Sequence, residues 1–164
     1  MIAFTDVQYR ETDATAACVV VDRFDAEHPT TEWTARISPI APYEPGAFSK
    51  RELPCLLEVL RRAPPLTHVV IDGYVSLDAN RTPGLGARLY EALGGKTIVL
   101  GLAKTAYQGS PMATPIARPG STKPLFLTSI GLDEVAAVAL VNQLHGVHRL
   151  PTMVKRVDSL ARGR

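Results

Sequence analysis

The chain has 164 residues, of which 46% are hydrophobic and 21% charged, with a formal net charge of +2. These are the proportions of an ordinary globular protein long enough to bury a core, read as a single domain over residues 1–164. No apolar run approaches the ~20 residues of a membrane-spanning helix, and MIAFTDVQYR lacks the pattern of a secretory signal, so membrane and secreted classes are set aside.

In chain order, the first third reads as β. Ala3–Tyr9 alternates, with Phe4, Asp6 and Gln8 on one face and Thr5, Val7 and Tyr9 on the other. A polar turn at Arg10–Asp13 leads to a run of small and β-branched residues, Ala14–Val21, and Trp33–Ile37 makes a third strand. Short connections between the three predict an antiparallel meander. Pro39–Gly46, with three prolines, is a loop. Leu53, Leu56, Leu57 and Leu60 fall at i, i+3, i+4 and i+7, the stripe of an amphipathic helix that ends near Arg61-Arg62.

A strand at His68–Ile71, a helix over about 83–93 and a strand at Thr97–Gly101 form a βαβ unit, which requires parallel strands. The proline- and glycine-rich stretch 108–124 is expected to be irregular. Leu125–Thr128 is a short strand, and helices follow over Asp133–Leu144 and Pro151–Leu160. The two cysteines, Cys18 and Cys55, lie in apolar runs without C-x-x-C spacing. They read as reduced core residues of a cytoplasmic protein. The order of elements, a meander and then parallel strands with helices on the sheet, predicts an α/β fold of ribonuclease H-like plan, with a mixed sheet of five or more strands.

That plan sets the first strand at the centre of the sheet beside the strand that ends at Asp72. Neighbouring strands are ~4.8 Å apart, so Asp6 and Asp72 meet if their registers agree. Two carboxylates that close repel unless a cation joins them, and Mg²⁺ or Mn²⁺ is a hard cation suited to oxygen ligands. Each residue also has a structural reading. Asp72 precedes Gly73 and fits a turn; Asp6 would sit on a solvent face if the sheet were one-sided. Glu52 could complete a capping box with Ser49, although Pro54 fits better if the helix starts at Pro54 itself. Charge is uneven along the chain, −5 over residues 1–34 and +4 over residues 145–164. The basic end suits a polyanion or simply a solvated helix face.

Six segments in order, TDVQY (5–9), PYEPGAFSKRELP (42–54), VVIDGYV (69–75), GLAKT (101–105), KPLFLT (123–128) and HRLPTMVKRVDSL (148–160), resemble the motifs of the endonuclease V family over nearly the whole chain. The resemblance implies a ribonuclease H-like, Mg²⁺-dependent endonuclease, with Mn²⁺ as a substitute, that acts on DNA or RNA containing inosine. It implies Asp6, Glu52 and Asp72 as metal-binding carboxylates, Asp158 as a further member of the site, and Lys104 as a cation for the scissile phosphate or the attacking water.

Pro42, Tyr43 and Pro45 match a wedge loop whose aromatic ring fills the space left by an extruded base. Arg51 and Lys123, within the matched motifs, are the basic residues expected to contact nucleic acid. Without the resemblance, Tyr43 is an ordinary loop aromatic and Lys104 a strand-end lysine reaching solvent. Tyr74 and Asp78 stand where members often carry histidines, Glu44 adds a negative charge to the wedge, and only five residues precede Asp6 where members usually have a further segment. A binding homologue that does not cut, or a hydrolase of another phosphoester, are the alternatives.

Overall fold

Alternation with period two on both sides of one sheet decides the architecture. A computed structural model describes residues 1–108 and 112–164. The strands are β1 (Ile2–Tyr9), β2 (Ala14–Val21), β3 (Thr31–Ile37), β4 (His68–Ile71), β5 (Ile98–Ala103), β6 (Thr114–Ile116) and β7 (Leu125–Ile130). The helices are α1 (Phe48–Leu60), α2 (Leu85–Ala92), α3 (Glu134–Gln143) and α4 (Thr152–Ala161). The sheet order is β3-β2-β1-β4-β5-β7-β6. β1, β2 and β3 form the expected antiparallel meander, and β1, β4 and β5 run parallel, the ribonuclease H-like plan. No helix among the described residues is long and apolar enough to cross a membrane.

Both faces are apolar because both are covered. On one face Phe4, Val19, Val70 and Leu100 pack against Val141 of α3 and against Met153, Val157 and Ala161 of α4. On the other, Ala3, Cys18, Val69 and Val99 pack against Cys55, Leu56 and Val59 of α1 and Leu89 of α2. Cys18 and Cys55 are buried and unpaired, as expected of core thiols. Each fully buried Leu or Val contributes ~1.5–3 kcal/mol over its exposed state, so α1 and α4 are held chiefly by these stripes. Two polar ties add direction: Trp33 Nε1 donates to Val59 O at 2.9 Å, and Arg156 Nε donates to Glu32 Oε2 at 2.8 Å.

Four expectations need correction. The helix expected to begin at Pro54 or through a Ser49–Glu52 capping box begins at Phe48, after Ala47, with no side-chain cap. Pro54 lies inside it, on an exposed position where the carbonyl it leaves unpaired can turn to water. The segment 108–124 is not wholly irregular, since Thr114–Ile116 pairs antiparallel with β7; residues 109–111 of it lie outside the described residues. The helix expected over 83–93 is shorter, Leu85–Ala92, and β5 runs two residues further than expected, to Ala103. That last extension matters, because it carries Lys104 to the strand's carboxyl end. Asp133 caps α3 by accepting from Ala136 N at 3.0 Å.

Candidate functional site

Register brings the first two carboxylates together. Thr5 lies opposite Ile71 in the parallel β1–β4 pair, so the next residues along, Asp6 and Asp72, are neighbours at the strands' carboxyl ends and share a face. β4 and β5 pair up to Ile71 and Gly101, which puts Leu102 beside Asp72 and Lys104 one pleat further on that same face. The second turn of α1, against the opposite face of the sheet, delivers Glu52, and α4 delivers Asp158. All five line one cleft of about 500 Å³, together with Tyr9, Phe48, Tyr74 and Arg162.

Charge in this cleft is unbalanced. Four carboxylates face two cations, Lys104 and Arg162. Glu52 is only 5% exposed, and no hydrogen bond among the described residues supports it. Burial, then the nearby Asp6 and Asp72 charges, push its pKa up to about 8. Asp6 is also raised, by burial first and by Asp72 next, against the Val7 N–H and the Lys104 ammonium. The Val7 N–H donates to Asp6 Oδ1 at 2.9 Å. Lys104 Nζ stands 2.8 Å from Asp72 Oδ2 and 3.6 Å from Asp158 Oδ1. Burial works to lower the lysine's pKa, but its bond to Asp72 and the surrounding carboxylates raise it on balance. It is therefore a fixed positive charge at neutral pH.

These carboxylates fit a hard divalent cation by their chemistry. Burial first, and mutual repulsion second, hold two of them above the ordinary carboxylate range, and an ion bound among them would offset both. Among the described residues no three Asp, Glu, His or Cys side chains already converge on one ion position. At Asp72 one carboxylate oxygen, Oδ2, is held by the Lys104 ammonium.

Other expected residues are placed as follows. Tyr43 is 66% exposed, and its neighbours Pro42 and Pro45 are exposed with it. Lys50 Nζ lies 3.5 Å from Glu44 Oε2, so the acid in that loop is locally compensated. Arg51 is half-buried, its guanidinium 4.1 Å from the centre of the Tyr9 ring, beside the cleft rather than projecting from it. Lys123 is exposed and outside the set of cleft-lining residues. Its carbonyl, not its ammonium, is engaged, by Arg149 Nε at 3.1 Å. Asp78 is not drawn into the cleft; it closes its own turn by accepting from Thr82 Oγ1 and Thr82 N. Tyr74 ties the loop after β5, donating to Thr105 O at 2.6 Å and accepting from Tyr107 N at 3.0 Å.

Sequence reasoning missed three supports of the site. Arg149 donates to the carbonyls of Lys104, Lys123 and Pro124, fixing the backbone that carries the lysine. Thr128 Oγ1 accepts from Val75 N at 2.9 Å, anchoring the chain just past Asp72. Arg162 grips Asp158. Only the last had a signal in the sequence, the i, i+4 spacing on a helix.

A family model described as Endonuclease V matches residues 1–150. No curated protein matches the chain at a significant level. Among solved structures, the Endonuclease V of Streptomyces avermitilis is 28% identical with a TM-score of 0.79, the match covering 99% of this chain and 79% of that one. The Bacillus subtilis Endonuclease V is 21% identical with a TM-score of 0.81, over 99% and 79% of the two chains. That of Ciona intestinalis, solved in complex with a 24mer DNA containing an inosine followed by a ribo-adenosine, is 17% identical with a TM-score of 0.82, over 99% and 84%. At their identities the last two speak to the fold alone.

Proposed function

Because the chain belongs to the Endonuclease V family, we propose that it is a metal-dependent endonuclease that hydrolyses phosphodiester bonds near deaminated purines, inosine or deoxyinosine, in DNA or RNA. The observation that carries this reading is the meeting of Asp6, Asp72 and the buried Glu52 in one cleft at the carboxyl edge of the sheet. The substrate class is inferred from membership of the family, of which the Ciona structure, solved with inosine-containing DNA, shares the fold.

Asp6, Glu52 and Asp72 would hold Mg²⁺, with Mn²⁺ as the substitute. Bound there, such an ion would supply Lewis-acid chemistry, lowering the pKa of a coordinated water and offsetting charge on a leaving oxygen; 5′-phosphate and 3′-hydroxyl ends are the expected products. The remaining residues orient and hold. Lys104 presents a permanent ammonium to the non-bridging oxygens of the phosphate, and Asp158, beside it, keeps that ammonium turned into the cleft. Tyr43, braced by Pro42 and Pro45, stacks where an extruded base leaves a vacancy. The compensated charge of Glu44 lets this loop approach a phosphate backbone.

The test is incubation of inosine-containing DNA and RNA strands with Mg²⁺ and with chelator. Cleavage is expected in Mg²⁺ alone, and Asp6→Asn should reduce it by more than about a hundredfold while the far-ultraviolet dichroism and melting transition persist. A gel shift without product would instead mark a binding homologue. Hydrolysis of mononucleotide esters but not of oligonucleotides would mark a hydrolase of another phosphoester.

A further inference from the structure

The carboxylates and Lys104 leave one charged group of the cleft without a task. Arg162 ends α4, and its guanidinium grips Asp158 along one edge, Nε to Oδ2 at 3.1 Å and Nη2 to Oδ1 at 3.2 Å. Nη1, and the second proton of Nη2, meet no acceptor among the described residues. The side chain is 45% exposed and lines the cleft with Asp6, Asp72 and Lys104.

A pair of this spacing on an open helix face would be worth only ~0.3–0.5 kcal/mol and would need no further account. Here it is not on an open face. Asp158 is half-buried and also faces Lys104 at 3.6 Å, so one carboxylate orients two cations. Burial would raise the Asp158 carboxyl, but the hydrogen bonds from Arg162 and the charge of Lys104 outweigh it and hold it below the usual range. It therefore stays ionised and the clamp stays closed. A nucleic-acid strand entering this cleft meets an excess of negative charge, and a planar guanidinium held by one edge offers its other edge to a phosphate.

The geometry points to Arg162 as a phosphate-binding residue for the nucleic-acid strand beside the carboxylates, with Asp158 as the positioning residue that aims it. This assignment rests on the nuclease reading and adds to it a contact with the sugar–phosphate backbone.

Binding rather than cleavage separates the two. A fluorescently labelled inosine oligonucleotide, titrated in chelator over 50–300 mM salt, reports affinity and its salt dependence. Arg162→Gln should weaken binding and reduce the slope of log K against log salt by about one contact's worth. Arg162→Lys should restore most of the slope but not all of the affinity. Lys96→Gln, at the opposite end of the sheet just before β5, should leave both unchanged. A wild-type slope and affinity in Arg162→Gln, with only a lowered melting temperature, would show the pair to be a helix tie and overturn the assignment alone. Failure of the wild-type protein to bind in either chelator or Ca²⁺ would overturn the nuclease reading and this role with it.

Discussion

Glu52 shows what the cleft costs when no cation is bound. Its folded pKa, about 8, lies above the ordinary 4.5. Between those values the folded protein binds a proton that the unfolded chain has released, so the group's contribution to stability is complete below about pH 4.5. It is lost progressively as pH rises through about 8. The metal-free protein should therefore lose on the order of a few kcal/mol of stability over this window, and Glu52→Gln should flatten the loss. Thermal melts in chelator from pH 5 to 8.5 measure it. Mg²⁺ should raise the melting temperature more at pH 8 than at pH 5.5; an equal rise at both would mean Glu52 is not among the ion's ligands. In the sequence the same residue reads equally well as a helix cap. Nothing in Ser49-Lys50-Arg51-Glu52 says that the helix begins before Ser49, at Phe48, so the burial of Glu52 was not legible there.

At the scale of elements, the segment after β4 is threaded between glycines. A Cβ on Gly101 would stand 2.5 Å from Gly73 O and 2.6 Å from Thr128 Oγ1, and one on Gly86 would stand 2.6 Å from Val75 Cγ2. Gly73 itself has φ +143°, a region open to glycine alone at no cost. Close approach of β5 to this crossing chain is what fixes Asp72 beside Lys104. Gly101→Ala should destabilise the protein by ~1–3 kcal/mol through overpacking, read from the urea midpoint. It should also lower cleavage more than that loss of folded protein accounts for. Full activity at saturating folded protein would show that the crossing does not set the site.

Elements with an alternating or continuous apolar pattern, or a full apolar stripe, were legible, because packing on both sheet faces imposes it: β1, β2 and α4 are cases. β6 was not. Three residues with a central proline, Thr114-Pro115-Ile116, carry no period, and only the edge of β7 makes them a strand. The pairing of Asp158 with Lys104 was equally invisible, since it joins α4 to the end of β5.

Over the whole molecule, the match to the family ends at residue 150, whereas the packing does not. Met153, Val157 and Ala161 of α4 are buried against the face of β1 and β2 that carries Phe4, Ala17 and Val19. A chain cut after residue 150 leaves that face open to water. It is expected to lose the cooperative thermal transition seen by circular dichroism and to aggregate; a transition within a few degrees of the full chain would show α4 to be dispensable for folding. Element order pointed to the fold class, because a meander joined to a βαβ unit leaves few arrangements, and the resemblance of the six motifs singled one out. The site did not follow from order alone, because it needs the register of β1 on β4, which the sequence leaves free.

Site residues 6, 52, 72, 104 and 158 come from five separate parts of the chain, the last from its final helix. During synthesis at ~5–20 residues per second, on the order of ten to thirty seconds pass between the first carboxylate and the last. For that interval β1 has no parallel partner, then no lysine beside Asp72, then no helix over Phe4. On the proposed reading, the cleft is therefore complete only once α4 has been synthesised and has folded against β1 and β2.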